Sequence, residues 1–537
     1  AGLLDRLKPL REIIFAGNNE HCFIERETIL SELERDGIDG MPADRRYCMV
    51  FDQLMSRLST PVDDNDVFLG RMVEGPCGAT WDEWGRIEGG QGAYVNYLIG
   101  SVGHGTLDYR ALVDKGLYRI VAEAEETAER LDTEEARAFA RNGRSCVESL
   151  MGFCGRYATA VRQRARGLPV EARGLLQRAA TALEHVPARP ARNFIEALHA
   201  VWTVHFVMSC VVGARDFAYG RMDQYLLPFL RRDLTDGSLS RDEAELYLAH
   251  FLLKNNEITG LCSNHHNGKP IPSKAAKIYI VLAGSGPTGA DESNELSAMF
   301  LDAACYAGMP EPVLNVRFAP ATSTAFKRKT AALCPRLQGQ IAICNDAAII
   351  PAYVRKGIPV EDACTYTLRA CSSVELGPYE TNMTSCYNWL KMPVALHNAL
   401  QQLKEASAER AITMDDTFEA FGRFVSEDVA AMVARCNSLK SNCAGERSIH
   451  SSTFLSSWDF AFESLLIPDC VARGKNASKG GSRYTIPTVF CSGIATVGNS
   501  LMAIKRVVFD EQRYSFAEFM DIVDADYEGQ ECFRQEI

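Results

Sequence analysis

The residues best equipped for chemistry gather in RACSSVELGP, Arg369 to Pro378, which sets Cys371, Ser372, Ser373 and Glu375 side by side. The stretch alone does not decide which of them reacts. A second candidate is GSVGHGTLDY, residues 100–109, where His104 lies between two glycines and Asp108 follows four positions later. Glycines let a ligand approach the backbone closely, and an imidazole there can bind or protonate a substrate oxygen. The plainer alternative is a loop histidine satisfied by its neighbours. In RDFAYGRMDQYLLPFL, residues 215–230, Asp216, Arg221 and Asp223 stand among aromatics. Charges buried in such company are normally paired. Arg221 and Asp223 are therefore expected to form a structural pair, with Asp216 the less committed carboxylate. His265 and His266 in SNHHNGKP are adjacent on a polar loop and have no acidic third ligand at useful spacing, so no metal is expected. KGGSRYT, residues 479–485, is no Walker motif, and no GxGxxG follows a strand.

These side chains need a scaffold, and the hydrophobic pattern predicts an α/β one. Apolar residues recur at helical intervals over 110–131, 133–165 and 240–258, the last opening on Ser240 and Glu243 as a capping box. Short apolar runs at 276–284, 312–318, 339–345 and 365–376 read as buried strands. Their alternation with helices argues against an all-helical bundle. Residues 1–260 are expected to wrap a core built mainly from 261–537, with no repeat or interdomain linker.

Composition narrows the class. A net charge of −12 on 537 residues, with no basic patch, argues against nucleic acid or anionic membrane as partner. The apolar run 197–214 contains His199 and His205, which are costly in lipid, so a buried helix is expected there. The 18 cysteines include no CxxC and follow no disulfide spacing, which favours reduced thiols in a cytoplasmic, even anaerobic, setting.

Several segments, taken in order, resemble the glycyl radical enzymes, the relatives of pyruvate formate-lyase. They are VDDNDVFLGRMVE, the GHGTLDY loop, GRMDQYLLPFL with DLTDGSLSRDEAELYLAHFLLKNNEI, PEPVLNVRF, GQIAICNDAAIIPAYVRKGIPVEDACTYTLRACSSVELG, GKNASKGGSRYT and NSLMAIKRVVFDEQRYSFAEFMDIVDADYEG. The resemblance covers nearly the whole chain. It implies one barrel domain over 1–537, with ten strands in two antiparallel half-barrels surrounded by helices and a cysteine loop at 369–378. The family's Arg-Val-x-Gly-Tyr radical loop does not occur in the sequence. The chain is then either a fragment or the partner of a separate glycyl-radical polypeptide.

In the dehydratase branch the cysteine loop reads Gly-Cys-Val-Glu. Val374 and Glu375 match it, which puts Ser373 in the cysteine slot, while Cys371 lies two residues early. In extended chain that offset is about 6–7 Å, and hydrogen-atom transfer needs near-contact. A serine O–H bond is too strong for a glycyl radical to break. Ser373 is thus most simply an engineered Cys-to-Ser change; natural loss of activity and use of Cys371 are the alternatives. The resemblance implies radical elimination, a dehydration or lyase reaction on a small polar hydroxylated substrate, with Glu375 as base and His104 and Asp216 binding substrate. Within the family an arylacetate decarboxylase or C–N or C–S lyase is the alternative, and a catalytically silent member is another. The implied cofactor is a glycyl radical installed by a radical S-adenosylmethionine activase. A homodimer is implied, in the cytoplasm or a bacterial microcompartment.

Overall fold

The computed structural model describes residues 3–16, 20–71, 99, 105–213, 217–259, 265–266, 269–270, 278–369, 373–381, 389–442, 459–486 and 490–537. The chain divides into two compact units, one formed by 1–383 with 454–485 and the other by 384–453 with 486–537.

In the first unit three parallel strands, Tyr279–Ala283, Val313–Phe318 and Ile341–Asn345, lie side by side in that order. The helices Glu295–Ala307 and Thr324–Leu337 connect them. Two further lanes join the Tyr279 edge as single parallel bridges, Ala218 to Tyr279 and Thr106 to Ala218. Side chains alternate across a strand. Ile280, Leu282, Leu314 and Val316 accordingly enter the main hydrophobic core, while Asn315 and Arg317 are buried on the opposite face. The expected strands at 276–284, 312–318 and 339–345 are present. The expected strand at 365–376 is instead an antiparallel hairpin, Thr367–Arg369 against Ser373–Glu375. The described strands outline a helix-wrapped parallel β/α sheet and do not by themselves amount to ten.

The helix expected over 110–131 is two, Tyr109–Lys115 and Leu117–Leu131. Gly116 separates them at φ 74°, where a Cβ would lie 2.4 Å from the Arg189 backbone. The N–H groups of Leu117 and Tyr118 donate to Pro187 and Ala188 carbonyls instead of continuing the first helix. Thr133 caps the helix Glu134–Ala165, and the Glu243 N–H donates to the Ser240 hydroxyl at the start of Arg241–Thr259.

The run containing His199 and His205 forms the helix Phe194–Phe206, continued by a π-helical turn to Val212. By length and composition it is apolar enough to cross a membrane, yet 94% of that window is buried inside the protein. Burial pushes both imidazoles down, His199 to about 4 and His205 to about 3. The first unit also holds a buried cluster of four charges. Arg71 contacts Asp66 at 2.6 Å and Glu257 at 2.5 Å, and Lys254 reaches Asp66 at 3.2 Å and also pairs with Glu257. Burial raises the Asp66 carboxyl, but Lys254 and Arg71 outweigh it and hold the group below its ordinary range.

The second unit has its own core, including Leu396, Leu403, Leu501, Val507 and Met520. Its described residues are mostly helical, with one parallel strand pair among them, Trp389–Lys391 and Phe490–Ser492.

Candidate functional site

The hairpin register sets Thr367 opposite Glu375 and Arg369 opposite Ser373. Two arms with the same two-residue alternation thus pair with each other, and residues 370–372 lie outside the described residues. The hairpin is held from several sides. The Tyr353 hydroxyl donates to the Val374 carbonyl at 3.1 Å. Arg317, on the sheet face away from the main core, donates to the Cys364 and Tyr366 carbonyls at 2.9 and 3.3 Å. Arg317 also grips Asp346 through Nε at 2.9 Å and Nη2 at 3.0 Å, while the Tyr366 hydroxyl donates to Asp346 at 2.6 Å. Burial raises the Asp346 carboxyl, but Arg317 and Tyr366 together bring it below its ordinary value. This network is charge-balanced and structural.

Glu375 is fully buried. Its Oε1 meets the Thr106 hydroxyl in a short contact and the Thr367 hydroxyl at 3.2 Å, and the two hydroxyls are 2.9 Å apart. Its Oε2 lies 2.7 Å from Arg369 Nε, an ion-pair distance whose N–H is not aligned for a hydrogen bond. Arg369 Nη2 is 3.9 Å from Glu380 Oε1, so two carboxyl groups attend one guanidinium. A tight turn at Gly377–Tyr379 brings Glu380 back, and its Oε2 accepts from the Leu376 N–H at 3.0 Å. Burial pushes the Glu375 carboxyl up to about 8; Arg369 opposes the shift and Glu380 adds to it.

The threonine pair is set by close packing. Thr106 sits in the outermost lane, and Gly220 turns at φ 68° just beyond Ala218. A Cβ on Gly220 would come within 3.0 Å of the Thr106 methyl and 3.8 Å of the Thr367 methyl. Behind Glu380, Tyr484 forms a parallel bridge, its N–H donates to the Tyr379 carbonyl, and its hydroxyl donates to Asp362 at 2.6 Å. Arg483 binds both Asp362 oxygens at 3.0 Å and stacks over Tyr379. KGGSRYT thus anchors the turn that carries Glu380.

Of the residues expected to act, Ser373 and Glu375 are described. Cys371, His104 and Asp216 lie outside the described residues. The Ser373 hydroxyl is buried and has no hydrogen-bond partner among the described residues. The chain re-enters at Gly105 and at Phe217, and Thr106 and Ala218 bridge each other next to Glu375. Arg221 and Asp223 are not the ion pair expected. Arg221 donates to Glu292 at 2.5 Å and to the Ala283 carbonyl at 2.8 Å. Asp223 accepts from the Ala283 N–H at 2.6 Å and the Ser297 hydroxyl at 2.5 Å. The polypeptide thus offers both charges nearer partners than each other. Asp108 caps a helix, accepting from the Ala111 N–H at 2.9 Å. Sequence reading missed Thr106, Thr367, Arg369 and Glu380. The alternation of Thr367 and Arg369 on one arm was the available signal, and it becomes informative only once the hairpin is known.

The match to known proteins is broad. Residues 89–537 match the family model described as pyruvate formate lyase-like. Trans-4-hydroxy-L-proline dehydratase of Clostridioides difficile is 26% identical over 402 residues, 70% of this chain and 48% of that protein. (2S)-3-sulfopropanediol dehydratase of Klebsiella oxytoca is 24% identical over 463 residues, 81% of this chain and 53% of that protein. The chain spans about half the length of these curated relatives. A solved structure concerned with 1,2-propanediol dehydration in Roseburia inulinivorans superposes with a TM-score of 0.77 at 20% identity, covering 99% of this chain and 74% of that one. A helix-wrapped β/α barrel fold and a family match over most of the sequence point the same way: the chain belongs to the pyruvate formate lyase-like family of glycyl radical enzymes.

Proposed function

We propose that the protein serves a radical elimination, a dehydration or lyase reaction, on a small polar hydroxylated substrate. The carrying observation is the buried Glu375 carboxyl two residues beyond position 373, on a hairpin packed against the lane that follows His104. A substrate hydroxyl held by His104 and Asp216 would meet Glu375 as its proton partner. Burial excludes water there and strengthens each polar contact. The base role assigned to Glu375 requires that it first give up the proton favoured by its surroundings. The family's radical is supplied by a glycyl loop and an S-adenosylmethionine-dependent activase, both proposed partners of this chain. Ser373 does not fit a hydrogen-atom relay, because its O–H bond is too strong, so no step is assigned to it.

Ser373 also favours a second reading, a chain that binds substrate without turning it over, whether by engineering or natural loss. One experiment separates the two. The unmodified chain and Ser373→Cys are incubated anaerobically with activase, S-adenosylmethionine, a glycyl-radical polypeptide and candidate diols or hydroxylated amino acids, and products are followed by mass spectrometry. Turnover only in Ser373→Cys supports the elimination reading. No turnover in either leaves the silent-member reading standing. Turnover by the unmodified chain that disappears in Cys371→Ala moves the reactive position to Cys371.

A further inference from the structure

The helices Ala43–Arg57 and Glu134–Ala165 run side by side in the first unit. Three side-chain contacts pin them in register: Cys146 on Cys48, Ser149 on Asp52 and Arg156 on the Met55 carbonyl. Sequence numbers rise together along both helices, so they are parallel, and sliding would break all three contacts. At the first contact two free thiols meet, with Cys146 Sγ 4.0 Å from Cys48 Sγ. The Cys48 thiol in turn donates to the Asn142 carbonyl at 3.8 Å. The helical ladder directs the Cys146 N–H, four residues on, to that same carbonyl. Both sulfurs therefore rest on one turn of the longer helix. A disulfide holds its sulfurs about 2.05 Å apart, so roughly 2 Å of side-chain movement joins them. The S–H groups are weak donors, and the Asn142 carbonyl keeps its helical partner when they are lost.

We propose that Cys48 and Cys146 are an oxidative modification site, a thiol pair that hydrogen peroxide converts into a reversible disulfide between the two helices. Cys48 is half-buried and Cys146 fully buried, so peroxide meets Cys48 first. The Cys48 thiolate attacks one peroxide oxygen, the O–O bond breaks, and the released hydroxide takes a proton to leave as water. Cys48 is then a sulfenic acid. The Cys146 sulfur attacks the Cys48 sulfur and gives up its proton, and the sulfenic hydroxyl departs with that proton as a second water. Two thiols and one peroxide thus yield one disulfide and two waters; the sulfurs lose the two electrons that peroxide gains. Burial raises the Cys146 thiol, which disfavours its own attack on peroxide and leaves it to resolve Cys48 by proximity. The bond links positions 98 residues apart, so it constrains the unfolded chain. It forms on helices separate from the Glu375 hairpin and rests on no reading of the catalytic chemistry.

The test uses the full chain, reduced, freed of reductant, treated with hydrogen peroxide and blocked with N-ethylmaleimide. It is then digested without reduction, and the peptides are identified by mass spectrometry. Cleavage after Glu148 separates Cys146 from Cys154 on the same helix. The expected product is a peptide containing Cys48 joined to one containing Cys146, absent before peroxide and lost again with dithiothreitol. The oxidised protein should unfold at a higher urea midpoint, and reductant should restore the original one. Cys146→Ala should accumulate Cys48 sulfenic acid, trapped with dimedone, whereas Cys154→Ala should form the link as before. Three results in the unmodified chain overturn the proposal without recourse to any variant. One is Cys48 passing on to sulfinic acid, and another is a link from Cys48 to any cysteine other than Cys146. The third is oxidation confined to other thiols, such as the exposed Cys491 and Cys532, with Cys48 left as the thiol. A linked protein whose urea midpoint falls would mark a bond made outside the folded geometry and overturns it too.

Discussion

Among the described residues, Asp66, Arg71, Lys254 and Glu257 set two cations against two anions in the buried interior, whereas Arg369 faces two carboxyl groups, Glu375 and Glu380. The residue types overlap and both clusters exclude water, yet their carboxyls move in opposite directions. Asp66 is held below its ordinary range and Glu375 is lifted to about 8. Burial raises both carboxyls; Lys254 and Arg71 outweigh it at Asp66, and Arg369 does not outweigh it at Glu375. The Asp63 N–H donated to Asp66 at 2.8 Å adds to the downward direction there, whereas the Thr106 and Thr367 hydroxyls that donate to Glu375 oppose its rise without overcoming burial.

The largest expected effect breaks the contrast at the unbalanced end. In a Ser373→Cys background that turns over, Glu375→Gln should preserve substrate binding and cut turnover by roughly 10²–10⁴-fold. Near-normal turnover, measured by product formation under saturating substrate, would remove Glu375 from proton transfer. Next comes the balanced end. Lys254→Met leaves two buried carboxylates sharing one cation and should cost about 3–5 kcal/mol in urea unfolding. A loss below about 1 kcal/mol would show that this cluster is not held by its charge pairing.

The pH dependence of stability should show both signs. Glu375 has a raised folded value, so its contribution is complete below its ordinary 4.5 and is lost as pH rises through about 8. His199 and His205 are held neutral, with folded values near 4 and 3 against an ordinary 6.5. Their contribution is present above 6.5 and is lost as pH falls below it, because the unfolded chain takes up protons first. Each group can change the folding constant by up to about tenfold per pH unit within its window. Glu375→Gln should flatten the alkaline limb alone, and a flattened acid limb in that variant would contradict the assignment. The smallest effect is that of Gly220→Ala, whose positive φ should cost about 1–2 kcal/mol. Urea unfolding checks this, and an unchanged midpoint would show that a side chain at 220 strains neither the left-handed turn nor its contact with Thr106.

Much of the scaffold was legible from local pattern. The strands at 279–283, 313–318 and 341–345 stand out as apolar runs, and the helices at 134–165 and 241–259 carry their own caps. Position 373 and Glu375 were legible from the motif they interrupt. What surrounds Glu375 was not, because Thr106 reaches it across 269 residues and only sheet assembly brings them together. The hairpin was hidden because strand alternation looks the same on both sides of a reversal. Arg221 found Glu292, 71 residues away, in place of the nearby Asp223 for the same reason. Gly116 broke a helix whose apolar spacing runs straight through it.

Gly220 carries this one step further. It contributes no functional group, yet its missing side chain leaves room for the two threonine methyls beside the Glu375 acid. In a library scan it should tolerate few substitutions and so score alongside residues that handle protons. Such a score would record steric permission, and the same backbone with alanine at 220 would keep every polar atom of the cluster while losing the close approach of its threonines.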